Sequence, residues 1–471
     1  MKTVYFFISL LITGFSFGQK VASSLATAYK NLEKDSQFKH ASISLYIVNS
    51  KTGKMVFDKN AQVGLAPASS QKVIIAVAAF ELLGKDYQYK TDIGYGGKIE
   101  NDTLKGNLFI TASGDPTLGS FRWSETKQEI VMQRIISALQ EKNIKVITGD
   151  LIIDESKWET QATPGGWTWE DIGNYYGAGA RGLNWHENQY DLILKPGKKE
   201  GDAVEIMRAE PELQVSILMN ELKTGKPGSG DNSIIYLPED GLIGYVRGTV
   251  PAGKETFTVS GSMPDASLSF KKSFEDFLKV SNINLAGKAK SSKLFFLNKE
   301  KMPLPEKKIF TINSPALDSI TYWFLQKSVN LFGEALVKTI AYEKNNFGAK
   351  DTGLNIIKDF WSKKGIEKSA LHIIDGSGLS PANRVTTNAL VTVMQYAKKQ
   401  NWYASFYNAL PEQNGIKMKS GYIGGVRSYT GYVKSKTGVE YTFAFIINNY
   451  DGNPGAVREK MWKLLDILKA P

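Results

Sequence analysis

The stretch from Pro67 to Phe80 constrains the fold of this chain more than any other part of its sequence. It reads Pro-Ala-Ser-Ser-Gln-Lys-Val-Ile-Ile-Ala-Val-Ala-Ala-Phe. A helix formed by these residues is apolar on nearly every side, so we expect it to lie inside a domain. Pro67 and the two serines suit a helix entry, and Gly84 suits its end.

Ser69 and Lys72 lie three positions apart and therefore share one face at the start of this helix. The hydroxyl is a candidate nucleophile, and the lysine is close enough to take its proton if its pKa is lowered. Free backbone N–H groups of the first turn point outward at the same place. The spacing alone identifies no site, because it recurs in polar, broken surroundings at Ser36–Lys39, Ser124–Lys127 and Ser269–Lys272.

The length and charge of the chain limit its class. A chain of 471 residues exceeds what one hydrophobic core usually supports, so we expect two or three domains. The formal net charge is +11, yet the longest basic runs are pairs such as Lys198-Lys199 and Lys307-Lys308. Such pairs are typical of a solvated surface. They argue against a nucleic-acid partner and are compatible with an anionic polymer.

Cysteine and histidine usage narrows the chemistry. The chain contains no cysteine, so neither disulfides nor a thiol nucleophile can contribute. His40, His186 and His372 show no metal-ligand spacing, and a Ser–His–Asp triad has only weak support. We therefore expect neither a metal ion nor another cofactor.

Residues 1–18 have the pattern of a secretory signal peptide. Lys2 precedes an apolar run from Val4 to Phe15, and small residues before the predicted cleavage after Gly18 suit a signal peptidase. The run is too short for a comfortable membrane span, and no later stretch is long and apolar enough to cross a bilayer. We expect an exported, periplasmic protein, either free or peripheral to the membrane or the cell wall.

The order of predicted elements indicates a domain that is split in the sequence. A hairpin with its first strand at Ala41–Asn49 precedes the helix of Ser69, and three strands and a helix end the chain. We expect these strands to form one antiparallel sheet flanked by helices, an α/β (α+β) fold with a large β-rich insertion. The predicted borders are 19–90 and 303–471 for the split domain, 91–302 for the insertion and roughly 190–265 for an inner subdomain.

Helical patterns also occur inside the insertion. Amphipathic periodicity predicts a helix at Gln128–Lys142, and a second helix is predicted at Ser273–Asn284. Between them, Gly165–Asn188 is rich in Gly, Trp and Tyr without periodicity. We expect this segment to form a long structured loop.

Ser328-Val329-Asn330 is the one Ser-x-Asn triplet of the chain and falls at a break before a predicted helix. A hydroxyl and an amide two positions apart at a helix entry can simply cap the helix. The functional alternative makes Ser328 a proton relay between Lys72 and a leaving group, with Asn330 holding an amide of the substrate. The triplet itself leaves both interpretations open.

Lys419-Ser420-Gly421-Tyr422 lies on a predicted strand of the terminal sheet. Alternation places Lys419 and Gly421 on one face and Ser420 on the other, unless the strand is an edge that lines a cleft. On such an edge Ser420 can bind a carboxylate, Lys419 adds positive potential and Gly421 admits the substrate backbone. The N–H of Tyr422 can join that of Ser69 as an oxyanion hole. Three literal Lys-Thr-Gly triplets are predicted to be turns: Lys51-Thr52-Gly53, Lys223-Thr224-Gly225 and Lys436-Thr437-Gly438.

Taken in order, Ser-x-x-Lys, Ser-x-Asn and Lys-(Ser/Thr)-Gly are similar to the signature of the penicillin-recognising serine enzymes. From about Ala41 to its C-terminus the chain resembles the class C low-molecular-mass penicillin-binding proteins, the D-alanyl-D-alanine carboxypeptidase/endopeptidase family. Ser328 lies 259 positions after Ser69 (328 − 69), which fits the domains that this family inserts between its first two motifs. The resemblance also covers Gly114-Asp115-Pro116-Thr117-Leu118, Gly149-Asp150-Leu151, Trp167-Thr168-Trp169-Glu170-Asp171 and Asp375-Gly376-Ser377-Gly378-Leu379-Ser380.

Two residues depart from the common family pattern. Val329 stands where Asp is frequent, and Ser420 replaces the usual Thr but keeps a hydroxyl. Asp171 matches the family position at which a carboxylate meets the free amino group of diaminopimelate, although an N-cap or an exposed carboxylate remains the alternative. The segment Asp375–Ser380 is interpreted as a structural glycine turn near the site.

The resemblance implies an exported serine hydrolase that acts on peptidoglycan stem peptides through an acyl-enzyme and is inhibited by β-lactams. Its implied catalytic residues are Ser69, Lys72, Ser328, Asn330 and Lys419. Its implied substrate-binding residues are Ser420, Gly421, Tyr422 and Asp171. A β-lactamase and a catalytically silent cell-wall binding protein are the alternatives, and three intact motifs argue against the silent protein.

Overall fold

The computed structural model describes residues 20–215 and 217–470. The predicted signal peptide lies outside the described residues. By their internal contacts the residues form two compact units. Among the described residues, the first unit comprises 20–82, 321–328 and 357–470, and the second comprises those within 83–320 and 329–356. The predicted domain borders stay a prediction.

Helices and strands are numbered along the chain. The N-terminal part of the first unit contains α1 (residues 20–34), β1 (Ser42–Asn49), β2 (Met55–Lys59) and α2 (Lys72–Leu82). The second unit contains β3 (Lys90–Glu100), β4 (Thr103–Thr111), α3 (Gln128–Glu141), β5 (Val146–Ile147), β6 (Leu151–Asp154), α4 (Trp169–Ile172), β7 (Gln189–Lys195), β8 (Glu205–Glu210), β9 (Ile217–Gly225), β10 (Asn232–Tyr236), β11 (Ile243–Pro251), β12 (Phe257–Ser262), α5 (Ala266–Val280), β13 (Asn284–Leu285), β14 (Ala289–Ser291), α6 (Ser292–Leu297) and β15 (Lys307–Asn313). Then follow α7 (Leu317–Gln326), α8 (Asn330–Asn345), α9 (Lys350–Lys363), β16 (Leu371–His372), β17 (Arg384–Val385), α10 (Thr387–Ala397), α11 (Tyr403–Ala409), β18 (Glu412–Gln413), β19 (Ile416–Ile423), β20 (Val426–Lys434), β21 (Glu440–Asn448) and α12 (Pro454–Leu465).

The first unit is built on one antiparallel sheet in the order β18-β19-β20-β21-β1-β2. It joins the N-terminal hairpin to the last strands of the chain, as the sequence predicts. Residues 441–447 of β21 are all buried, so helices cover both faces of the sheet. Apolar side chains of α1 and α12 pack with the sheet in one core.

Helix α2 lies wholly inside the first unit. Every residue from Lys72 to Phe80 is buried, which confirms the expectation from its apolar sequence. The prediction of its first turn was inexact, because residues Ala68–Gln71 form a 3₁₀ turn and the α-helix starts at Lys72.

The second unit combines a seven-stranded mixed sheet with two three-stranded sheets, the latter formed by residues 189–262. Apolar side chains of α3 and α5 pack on one face of the larger sheet. The predicted helix at Ser273–Asn284 was misplaced. Helix α5 begins at Ala266 because the side chain of Asp265 accepts a hydrogen bond from the Leu268 N–H and caps it.

Among the described residues, none of the helices is both long enough and apolar enough to span a membrane.

Candidate active site

The 3₁₀ turn Ala68–Gln71 places Ser69 at the entrance of α2. Ala68 has φ of +45°, a left-handed conformation that is costly for a residue with a side chain and must be held by its surroundings. The Asn448 side chain holds the approach to the turn, since its oxygen accepts from Ala66 N–H at 2.8 Å and its amide donates to Ala66 O at 3.0 Å. The Ser428 hydroxyl donates to Pro67 O at 2.5 Å.

Ser69 and Ser70 have different environments. The fully buried Ser70 hydroxyl donates to Pro67 O at 2.7 Å, so it stabilises the turn. Ser69 is partly exposed, and its Oγ accepts a hydrogen bond of 2.9 Å from Lys72 Nζ. Of these two serines, Ser69 therefore has the contacts that a nucleophile needs.

Lys72 is held on three sides. Its side chain is fully buried, and Nζ donates to Ser377 O at 2.7 Å as well as to Ser69 Oγ. The ring of Phe324 lies 5.8 Å from Nζ, a distance that suits a cation–π contact. These contacts fix the amine against the candidate nucleophile.

The Ser269–Lys272 pair shows what the same spacing does elsewhere. Both residues lie within α5, and Lys272 Nζ binds Asp276 Oδ2 at 2.6 Å on a surface open to solvent. This hydrogen bond raises the pKa of Lys272 and keeps its ammonium charged. The surroundings distinguish the two pairs, because Lys72 is buried and its amine is directed at a serine.

A buried network positions the backbone that contacts Lys72. Asp375 Oδ1 accepts from Gly378 N–H at 2.8 Å, and Oδ2 accepts from Ser380 N–H at 2.7 Å. The Gln71 amide donates to both Asp375 O and Oδ1, at 2.7 and 3.1 Å. The loop that carries the Ser377 carbonyl is thereby tied to the residue next to Lys72.

Strand β19 carries the third motif. Its partner β18 pairs only with Ile416 and Lys417, so residues 419–423 form an edge on that side, as the sequence argument required. Lys419 is buried and donates to Ser420 O at 2.9 Å. Burial lowers the pKa of Lys419 to about 7. Ser420 Oγ accepts from the Gln413 amide at 3.1 Å, and Tyr422 is 52% exposed.

Gly421 packs against the turn of the nucleophile. A Cβ at this position would lie 2.5 Å from Pro67 O, 2.8 Å from Ser69 N and 2.3 Å from Ser428 Oγ. Since the first two are backbone atoms, a side chain here would displace the turn. The predicted contact of Gly421 with substrate backbone stays a prediction, and the glycine has this separate structural role.

Ser328 follows the C-terminus of α7 and has φ of +58°. Phe324, four residues earlier, contacts Lys72 Nζ, so the end of α7 lies beside the lysine. The predicted role of Ser328 as a proton relay is compatible with this location.

The second unit carries Asn330 and Asp171, which are linked through Tyr176. The Asn330 amide donates to Tyr176 O at 2.7 Å, and the Tyr176 hydroxyl donates to the Asp171 carboxylate. Thr168 Oγ1 donates to Asp171 Oδ2 at 2.7 Å. Burial raises the pKa of Asp171, and the hydrogen bonds from Thr168 and Tyr176 oppose that rise. Burial raises the pKa of Tyr176 to about 12.

Comparison with models of protein families shows which family the chain belongs to. The model of the D-Ala-D-Ala carboxypeptidase 3 (S13) family matches residues 25–468. The chain belongs to this family. The resemblance stated from the three motifs is therefore confirmed, and with it the interpretation as a serine D-alanyl-D-alanine carboxypeptidase.

Individual S13 relatives are distant in sequence. The chain is 23% identical over 454 residues to the D-alanyl-D-alanine carboxypeptidase of Actinomadura sp. strain R39. This alignment covers 89% of this chain and 80% of the relative. The chain is also 23% identical to D-alanyl-D-alanine carboxypeptidase DacB of Haemophilus influenzae, over 85% of this chain and 84% of the relative.

The fold agrees with the family assignment. The crystal structure of penicillin binding protein 4 (dacB) from Haemophilus influenzae superposes with a TM-score of 0.79 at 21% identity. The match covers 92% of this chain and 97% of that one. The predicted class, an antiparallel sheet flanked by helices with a β-rich insertion, is thereby confirmed.

Sequence reasoning missed Gln71 and treated Asp375–Ser380 only as a structural turn. This segment contributes the Ser377 carbonyl that contacts Lys72. A backbone carbonyl is supplied by any residue type, so no sequence motif reveals it. The sequence signal that could have identified the network is a carboxylate at Asp375 followed closely by glycines and serines, since the N–H groups of Gly378 and Ser380 both donate to it. Within the described residues, no cluster of three or more His, Asp or Glu side chains is arranged to hold a metal ion.

Proposed function

We propose that Ser69 of this S13 enzyme attacks the carbonyl between the two D-alanines of a peptidoglycan stem peptide, or that of a D-alanyl–diaminopimelate cross-link. The bond from Ser69 Oγ to the carbonyl carbon forms, the C–N bond breaks, and the amine leaves. Water then hydrolyses the acyl-enzyme. The observation that carries the proposal is the 2.9 Å contact between Lys72 Nζ and Ser69 Oγ.

Lys72 acts as the base in this proposal. It must be neutral at the moment of attack so that Nζ accepts the hydroxyl proton. The charge that forms on Nζ is then stabilised by the Ser377 carbonyl and the Phe324 ring, which already contact it. Ser328, beside the end of α7, passes a proton to the leaving amine.

Strand β19 supplies the groups that receive developing negative charge. Gly421 brings the strand within contact of the Ser69 amide, which supports an oxyanion hole formed by the N–H groups of Ser69 and Tyr422. Lys419 adds positive potential in its protonated form, and Ser420 binds the terminal carboxylate of the substrate.

In the second unit, Asn330 binds a backbone amide of the stem peptide and Asp171 binds the free ammonium of diaminopimelate. The partial burial of Asp171 supports this role, because an ion pair is stronger where solvent is reduced. The Thr168 and Tyr176 hydrogen bonds hold the carboxylate in place and favour its charged form.

The proposed setting is the periplasm, which follows from the N-terminal pattern of residues 1–18. β-Lactams act as inhibitors because Ser69 can attack their strained amide as it attacks the peptide. Nucleic acid is not a proposed partner, since no run of basic residues is longer than a pair.

One assay distinguishes the alternatives. Turnover is measured with a D-alanyl-D-alanine peptide and with penicillin, and the penicillin adduct is followed by intact-mass spectrometry. We expect peptide turnover and one long-lived adduct with the unaltered chain, and neither with Ser69→Ala. Ser70→Ala is the matched control, because it removes the neighbouring hydroxyl that stabilises the turn and should only slow acylation.

Rapid turnover of penicillin without peptide cleavage would make the chain a β-lactamase, and an adduct in Ser69→Ala would remove Ser69 from its role. Absence of both activities in a folded chain would identify a silent binding protein.

A further inference from the structure

Residues 288–308 extend from β14 to β15, two strands of the larger sheet in the second unit, and the part between these strands covers part of one face of that sheet. Phe295 of α6 and Met302 pack on Phe109 of β4 and Ile152 of β6. After α6 the chain turns back, with Lys299 N–H donating to Phe296 O at 3.1 Å. The segment is therefore anchored to the sheet by its inward side chains.

The outward side of the same segment is strongly apolar. Phe296 is 78% exposed, Leu297 63% and Leu304 68%. Single exposed apolar residues are ordinary on protein surfaces, but three large ones within nine residues form a group that calls for a partner. These residues take no part in the chemistry of the proposed site.

The charges around this group are positive. Residues 288–308 contain seven lysines and two glutamates, a formal charge of +5. Three of the lysines form ion pairs, with Asp150, Asp240 and Asp92. The remaining four have no ion pair among the residues that the structure describes: Lys288, Lys299, Lys301 and Lys307.

A second exposed apolar group in the same unit serves as a comparison. Met207, Ile217 and Met219, on β8 and β9, are 46 to 50% exposed. Residues 205–221 contain four glutamates and one arginine, a formal charge of −3. The two groups are alike in apolar character and opposite in charge.

We propose that residues 288–308 form a docking surface for an anionic phospholipid bilayer. Phe296, Leu297 and Leu304 enter the boundary between headgroups and acyl chains, and the unpaired lysines bind lipid phosphates. Lysine suits this position because its long stem lies along apolar surface while the ammonium reaches the headgroups. We choose an anionic bilayer as the partner because its negative charge complements the lysines of residues 288–308. The apolar group on β8 and β9 is acidic and does not complement such a bilayer.

The test is co-sedimentation of the exported chain with vesicles of phosphatidylcholine, with and without phosphatidylglycerol. The N-terminus is established by intact mass and is identical in every variant, so differences arise from the surface alone. We expect binding to be at least about tenfold tighter with phosphatidylglycerol, and to weaken with added salt.

Two variants and one control locate the binding. F296S/L297S/L304S should weaken binding at least about tenfold. Lys299→Gln with Lys301→Gln should weaken it about twenty-five-fold, from roughly fivefold for each lysine. The matched control, M207S/I217S/M219S, should bind like the unaltered chain. All should form the penicillin adduct at the unaltered rate, which establishes that they fold.

The proposal is overturned if the unaltered chain binds neither vesicle, or binds both equally. It is also overturned if F296S/L297S/L304S binds as well as the unaltered chain, or if the control loses as much. None of these outcomes bears on peptide cleavage, so this proposal and the proposed function fail separately.

Discussion

Lys72 and Lys419 of the first unit and Asp171 of the second unit are held in different ways. Lys72 and Lys419 are buried and donate to backbone carbonyls, which cannot change their protonation state. Asp171 is only partly buried, and its charge depends on hydroxyl groups of neighbouring side chains. Under the proposed function, proton transfer would take place among buried groups, and recognition of a charged ligand would rest on a partly exposed one.

This difference between the two units predicts that changes in each unit reduce activity toward different sets of substrates. Changes in the first unit should reduce acylation by peptide and by penicillin alike, because both need the same nucleophile and base. Changes around Asp171 should affect only substrates that carry an ammonium group. The following experiments test that separation, from the largest expected effect to the smallest.

Lys72→Arg should lower the rate of acylation by about a hundred- to ten-thousandfold, since guanidinium keeps the charge but cannot accept a proton at neutral pH. The rate of acylation by penicillin is measured by stopped-flow mixing, and the turnover of the peptide is measured in a separate assay. Thermal melting shows whether the variant remains folded. If a folded variant acylates at a near-normal rate, Lys72 is not the base and Lys419 becomes the candidate.

Asp375→Ala should reduce acylation by about a hundredfold, because the loop that places the Ser377 carbonyl against Lys72 loses its central acceptor. Asp375 is a positioning residue, so kcat should fall while KM changes little. Asp375→Asn retains one acceptor oxygen and should recover part of the loss. A rise in KM alone, or equal losses in both variants, would contradict this role.

Asp171→Asn should reduce kcat/KM for a diaminopimelate peptide by about ten- to a hundredfold, the size of a charge-assisted contact. The same peptide with its amine acetylated should already be poor and should change little. The rate of the penicillin adduct should not change. Equal losses for all substrates would mean that Asp171 stabilises the fold, and the division between the units would be wrong.

Tyr176→Phe should have the smallest effect, about two- to tenfold in kcat/KM for the diaminopimelate peptide. Its hydroxyl lowers the pKa of Asp171, so its removal should raise that pKa further. Because the ammonium binds to the ionised carboxylate, the acidic limb of the pH profile should move to higher pH. A shift in the opposite direction, or the same shift with the acetylated peptide, would exclude the proposed contact.

Much of the first unit could be predicted because its signals are strong. The apolar sequence of α2 and the alternation in β1 and β19 led to the correct sheet and to a buried helix. In the second unit the start of α5 was missed. Pro264-Asp265 is a capping signal, and buried Ala266 and Phe270 continue the helical period, but the serines among them obscured it.

For the site, residue types with distinctive chemistry were identified and backbone groups were not. The sequence identified Ser69 and Lys72 as neighbours, and the structure places them in contact. It could not reveal the Ser377 carbonyl, because a carbonyl is common to every residue and its direction depends on the whole loop. The catalytic and binding roles of all the site residues, Ser69 and Lys72 included, stay predictions.

Gly421 has a consequence for how this protein can vary. The missing side chain makes room for the turn of Ser69, which lies 352 positions earlier (421 − 69). A lineage under antibiotic pressure cannot add a side chain at residue 421 by a single substitution without moving Ser69, the proposed nucleophile. Escape there requires paired changes at both places, so an inhibitor that rests against residue 421 should be slow to meet resistance.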